Sequence, residues 1–317
     1  MIYTDLFVKE KFQPQENWIR ENLLYECIVG SQAYGLNTPQ SDIDIVALVM
    51  PKEEHIYPQK YGFVLGFDNI PNFESKELKG EKNRILTPDG KTDVEGEWNS
   101  LVRFFALAGL KGSPNLIECL FVRRHLVTFG TDIAWMLRDN AEKFLSLRTV
   151  MAFKGYAFAQ IHRMRNDIKR GKTENPKRQY MLEQFGMDVK QASQILRLLD
   201  QINQVLDTGT IDLMNNKEEA KSMREGTWGT WERFEQYALE RLDILEKKSL
   251  NNLTISPKPR IGELKVLLVE CIEDWYGSEL GMQKQSTEYV SVKDLMERLD
   301  KMEKAISSIP FTIRNRF

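Results

Sequence analysis

The chain has 317 residues, room for two ordinary domains and more than one small module needs. Hydrophobic residues make up 42% and charged residues 28%; the longest apolar run, residues 43–50, is broken by Asp44 and too short for a bilayer, so the expectation is a cytoplasmic protein without anchor or secretion signal. A net charge of −2 excludes wholesale attraction to nucleic acid, so a polyanion would need a local basic patch.

Cys27, Cys119 and Cys271 are scattered in apolar surroundings, which excludes a disulfide framework and a zinc knuckle and predicts core positions. His55, His125 and His162 are the only histidines. A metal would therefore be held by carboxylates, which favours Mg²⁺ or Mn²⁺.

Residues 24–29 read as a buried strand running into a Gly30-Ser31 turn. Gly35, Asn37 and Pro39 punctuate a tight connection to a second strand over 41–49. Residues 51–90 show weak periodicity and many Gly, Pro, Asn and Lys, as a long loop with short embedded elements would. Residues 91–98 read as a strand with Asp93, Glu95 and Glu97 on one face, since strand side chains alternate. Asn99-Ser100 caps a helix to about Leu110, Gly112-Ser113-Pro114 breaks it, a strand is expected over 115–122 and a helix over 131–143. Helices are then expected over 149–169, 177–206, 230–247, 260–275 and 290–306, with the boundary between an N-terminal domain (1–147) and a helical domain (148–317) near Leu147. The aromatic stripe Trp228, Trp231, Phe234 and Tyr237 reads as core.

The informative stretch is Gly30-Ser31, then nine residues, then Ser41-Asp42-Ile43-Asp44. Two aspartates at i and i+2 on a strand share a face and can hold a pair of divalent ions, as two-metal phosphoryl transfer requires. Ile43 and Ile45 then point into the core. Gly30 lets backbone approach an anion closely, and the Ser31 hydroxyl with the following amides can hold nucleotide phosphates. A third carboxylate on a neighbouring strand completes such a set, and Asp93 and Glu95 are both open for it. Either feature alone, an Asp-x-Asp or a Gly-Ser, would be an ordinary surface or turn; their combination carries the reading.

Gly30-Ser31, Ala33-Tyr34-Gly35 and Ser41-Asp42-Ile43-Asp44 resemble the signature of the polymerase-β nucleotidyltransferase superfamily, and the chain resembles more specifically the RNA-repair, RNA-ligase-associated nucleotidyltransferases of bacteria and phages. Lys111-Gly112-Ser113-Pro114-Asn115, Asp188-Val189-Lys190-Gln191-Ala192, Thr208-Gly209 and Arg224-Glu225-Gly226 extend the similarity. The family commonly has Lys-His-Ala where Lys190-Gln191-Ala192 stands, and Asn-Pro where Ser113-Pro114 stands. The resemblance implies an α+β fold: a nucleotidyltransferase-type mixed sheet with flanking helices, then an all-helical domain. It also implies that a helix beyond the sheet supplies a cation to the phosphates, and Lys190 lies in the matched segment. Arg197 follows on the same helix face and is either a second phosphate cation or a structural partner. Tyr34 reads as packing for the loop.

Residues 162–178 hold seven basic residues (Arg163, Arg165, Lys169, Arg170, Lys172, Lys177, Arg178) against two acids. Such a cluster suits a nucleic-acid backbone or a triphosphate, or else is a solvated helix end. The expected reaction moves an NMP from an NTP to a hydroxyl, with an RNA 3′ end as acceptor on the strength of the resemblance and the basic cluster. The alternatives are a protein or aminoglycoside-type acceptor, or a nucleotide- or RNA-binding module without turnover.

Overall fold

Leu23–Ile28, six consecutive buried residues, form strand β1 at the heart of a mixed sheet. In the computed structural model, which describes residues 1–64, 66–80, 82–173 and 176–277, β1 pairs antiparallel with β2 (Ile43–Val49) on one side and with β6 (Val127–Gly130) on the other. Parallel to β2 runs β5 (Asp93–Ser100), whose outer edge takes β3 (Ser75–Leu78) and the two-residue β4 (Ile85–Leu86), both antiparallel. The strand order is β3-β5-β2-β1-β6, with β4 beside β3 on β5. Because β1 and β2 are covered on both faces, they are apolar nearly throughout.

Short helices attach to this sheet: α1 (Tyr3–Glu10), α2 (Trp18–Glu21), α3 (Gly30–Ala33), α4 (Glu53–Ile56), α5 (Leu101–Phe104), α6 (Pro114–Phe121) and α7 (Asp132–Asp139). Longer ones follow: α8 (Leu147–Arg170), α9 (Pro176–Phe185), α10 (Val189–Thr208), α11 (Lys217–Arg224), α12 (Trp231–Leu250) and α13 (Ile261–Gly277). Met1–Ile272 form one compact unit and Glu273–Phe317 another, of which the end of α13 is described. No helix among the described residues is long and apolar enough to cross a membrane.

Trp98 on β5 anchors one face. It is fully buried, meets Phe7 and Phe12 edge-on at 4.8 and 4.9 Å, and donates its indole N–H to Thr4 Oγ1 at 2.9 Å. Burial of an indole that size contributes about 4 kcal/mol or more. Glu26, also fully buried, accepts from the Tyr3 and Thr4 amides at 2.8 and 2.7 Å, which ties the start of α1 to β1.

The mixed α+β architecture with a helical region after the sheet is the expected one, and four local expectations are corrected. Residues 115–122 are not a strand: Pro114 opens α6 at the first helical position, where its missing N–H costs nothing, and Leu116, Ile117 and Leu120 repeat at helical spacing on the buried side. The single helix expected over 177–206 is two, α9 and α10, because Gly186 turns at φ +71° and Asp188 caps α10 by accepting from the Gln191 amide. The helix starting after Ser100, capped as expected, changes at Phe105 to a π-helical stretch ending at Leu110. Strand β2 begins at Ile43, so Asp42 stands just ahead of it. Expected helix 290–306 lies outside the described residues. Trp231 and Phe234 are buried as a core stripe should be, with Trp228 and Tyr237 half-buried against each other.

Candidate active site

Asp44 is the second residue of β2, and the end of β1 is held against it by the Val29 amide, which donates to the Asp44 carbonyl at 2.8 Å. Gly30 then turns the chain at φ +63°, directly over the Asp44 side chain. A Cβ at this position would overlap Asp44 Oδ2 and lie 3.2 Å from its Cγ. The anion that Gly30 admits is therefore Asp44 itself. The glycine turn and Asp44, separated in sequence, are thus in direct contact.

The parallel register of β2 and β5 sets Asp44 opposite Glu95, and Ile43 and Ile45 opposite Val94 and Gly96. Burial raises the Asp44 carboxyl above the ordinary aspartate value; next in size the Glu95 charge raises it further, Lys190 lowers it, Asp42 raises it and Lys79 lowers it. Two carboxylates and two ammonium groups thus act on the charge of Asp44. Asp93 is on the same strand face but is engaged elsewhere, in an ion pair with Arg84 at 2.8 Å. Glu95 Oε1 accepts from the Gly80 amide at 2.9 Å, which orients it. Lys79, which also pairs with Glu77 and Glu97 at 2.8 and 2.9 Å, lies in the stretch where the sequence has weak periodicity, and nothing in its neighbours signals the approach to Asp44.

Among the described residues no three Asp, Glu, His or Cys side chains are placed so that they could hold one ion between them. The donors nonetheless fit a hard divalent cation in kind: they are carboxylate oxygens, and Asp44 is destabilised by two like charges that a cation would offset.

Beyond Ser31 the loop is clasped by α6, α10 and α11. Tyr34 is buried, donates its hydroxyl to Glu118 on α6, and lies under the Arg197 guanidinium, whose carbon is 3.3 Å from the ring centroid. Burial pushes the Tyr34 hydroxyl pKa well up, Arg197 opposes this and Glu118 adds to it. Glu118 accepts from Gln201 as well, at 2.9 Å. Gly35, at φ +63°, packs so tightly on α11 and the turn before it that a Cβ would come within 2.7 Å of Met214 Cε and 3.1 Å of Lys217 Cε. Arg224 donates to the Leu36 carbonyl at 2.8 Å. Tyr34 is thus the packing residue expected, while Glu118, Gln201 and Arg224 enter the site only through tertiary contact.

Lys190, exposed in the first turn of α10, belongs to the Asp44 cluster by its charge. The basic segment is divided. Arg165 pairs with Glu235 at 2.6 Å, and Arg178 contacts Asp188 at 3.5 Å and Gln191 at 3.3 Å, so both have structural work. Arg163, Lys169 and Arg170 are exposed on the C-terminal half of α8, and the Lys177 side chain lies outside the described residues.

Among known proteins, residues 7–229 match the sequence profile of the RNA repair pathway DNA polymerase beta family. The matched stretch runs from α1 through α11 and contains every element that clasps the site. No curated protein matches the chain. A similar solved structure is the crystal structure of a nucleotidyltransferase-like protein from Exiguobacterium sibiricum 255-15, with 11% identity over 99% of this chain and 91% of that chain and a TM-score of 0.28. At that TM-score the likeness carries nothing further.

Proposed function

The chain belongs to the RNA repair pathway DNA polymerase beta family, a family of nucleotidyltransferases, and on that premise we propose that it moves an NMP from an NTP to the 3′ hydroxyl of an RNA. The observation that carries the reading is the seating of Gly30 on Asp44 with Asp44 register-paired to Glu95. It sets the turn that would hold the phosphates against the carboxylates. Ser31 and the amides after it hold the β- and γ-phosphates, and Lys190 offsets their charge from the helical side. Asp42, Asp44 and Glu95 would hold Mg²⁺ or Mn²⁺, which supplies charge neutralisation on the phosphate oxygens. The acceptor oxygen bonds to the α-phosphorus, the bond to the leaving pyrophosphate breaks with its electron pair, and the hydroxyl proton passes to a Glu95 oxygen. Residues 148–317 serve as the substrate-binding half in this reading, and Arg163, Lys169 and Arg170 offer the exposed charge that an RNA backbone takes.

Glu95 is preferred to Asp93 as third carboxylate because its charge reaches Asp44, whereas Asp93 is occupied by Arg84. Glu95→Gln is expected to reduce transfer on the order of a hundredfold or more, and Asp93→Asn by no more than about fivefold, the size of a remote electrostatic change. Steady-state rates of both variants decide it; the reverse ranking assigns the role to Asp93.

The reaction itself is tested by incubating the native chain with labelled NTPs and Mg²⁺ beside RNA, a protein lysate or an aminoglycoside. Label in RNA, lost when Asp42→Asn and Asp44→Asn are combined, is the expected result. Label in protein or antibiotic replaces the acceptor, and binding without transfer to any of them removes the enzyme reading.

A further inference from the structure

We propose that Arg197 and Arg224 together form a receptor for one terminal phosphate carried by a substrate of this cleft, either the γ-phosphate of the NTP or the 5′-phosphate of an RNA; the proposal rests on the nucleotidyltransferase reading for the identity of the carriers. The two guanidinium groups come from successive helices, α10 and α11, and meet over the same three loop residues. Arg197 is stacked on Tyr34, and Arg224 is fastened to the carbonyl of Leu36. They are near enough that, after burial, the charge of Arg197 is the next cause that lowers the pKa of Arg224.

Two cations are rarely buried side by side without a counter-ion, because each costs solvation and they repel. Yet among the described residues neither arginine forms an ion pair, and each has a buried Nε without an acceptor. The neighbouring carboxylate, Glu118, is occupied by the Tyr34 hydroxyl and the Gln201 amide. No carboxylate among the described residues is thus salt-bridged to either guanidinium, and the Glu118 charge beside Tyr34 is spent on two other donors. Both side chains are only partly buried.

The chemistry of the partner follows from the donors. Guanidinium planes present parallel N–H pairs that match phosphate oxygens, and stacking on Tyr34 fixes the plane of Arg197. Lys190 lies seven residues earlier on α10, about 10.5 Å along the axis.

The test measures binding without turnover, by calorimetry on the full chain in the absence of NTP. The probes are tripolyphosphate, a 5′-phosphorylated RNA oligonucleotide and the same oligonucleotide with a 5′ hydroxyl. Tripolyphosphate or the 5′-phosphorylated RNA is expected to bind the native chain about tenfold or more tighter than Arg197→Met or Arg224→Gln, from the loss of a charge-assisted pair of bonds, with the 5′-hydroxyl RNA unchanged. Which probe responds names the carrier. Arg224→Lys keeps the charge but not the paired N–H groups, and should bind more tightly than Arg224→Gln and less tightly than the native chain, even where melting shows a loosened loop. If both phosphate probes bind native and variant chains alike, or if Arg224→Lys binds no better than Arg224→Gln, the receptor is overturned. Either result is independent of whether nucleotidyl transfer is detected.

Discussion

Asp44→Asn is expected to abolish nucleotidyl transfer, by about a thousandfold or more, while raising the melting temperature of the chain. The activity loss follows from removing the carboxylate on which Gly30, Glu95, Asp42, Lys190 and Lys79 converge. The gain in stability follows from the same convergence. Burial, then Glu95, then Asp42 raise the carboxyl of Asp44, more than Lys190 and Lys79 lower it. A raised carboxyl holds its proton more tightly folded than unfolded. Its destabilising effect is therefore absent below the unfolded aspartate value, grows as pH rises towards the folded value, and is complete above it. At neutral pH the asparagine relieves a like-charge pair on adjacent strands, worth up to about 1 kcal/mol, or roughly 2–4 °C. Melting followed from neutral to acid pH should show the variant ahead at pH 7 and the difference closing as the native Asp44 protonates. An asparagine variant that melts below the native chain at pH 7 removes the strained-charge account, whatever its activity.

The parts of this site that were legible in the sequence are those written in short-range spacing. The turn at Gly30 and the acidic face of β5 each depend on a turn residue or on two-residue alternation, which a few neighbouring letters specify. The choice between Asp93 and Glu95 could not be made that way, because it depends on the register of β5 against β2, a pairing of strands some fifty residues apart in the chain. Where the local signal is double, strand and helix compete. Residues 115–122 are apolar enough for a strand, and what decides for a helix is Pro114 at the first position together with the 116, 117 and 120 spacing. Arg224 and Glu118 have no local mark at all; each acquires a role only when α11 and α6 close on the loop that carries Tyr34 and Leu36. Lys190 likewise has no local mark; only its charge, which lowers the Asp44 carboxyl, ties it to the sheet.

Gly30→Ala separates the two reasons for a glycine at that position. The backbone at φ +63° costs an alanine about 1–2 kcal/mol wherever it occurs. The overlap of the new methyl with Asp44 Oδ2 adds to this, since Val29 is bonded to the Asp44 backbone and the two strands cannot slide apart to relieve it. The sum expected is about 3 kcal/mol or more of lost stability. Transfer should fall at least about a hundredfold in the chain that remains folded, because the carboxylate must swing away from the position that serves the phosphates. In an Asp44→Ala background the carboxylate is gone, and the same Gly30→Ala change should cost only the backbone share. Urea unfolding of the two single variants and the double variant closes the cycle, and the coupling energy reads the contact between Gly30 and the carboxylate directly. Equal costs in the two backgrounds would mean that Gly30 is there for its backbone angle alone, and the join between the phosphate turn and the acidic pair would have to be sought in Ser31.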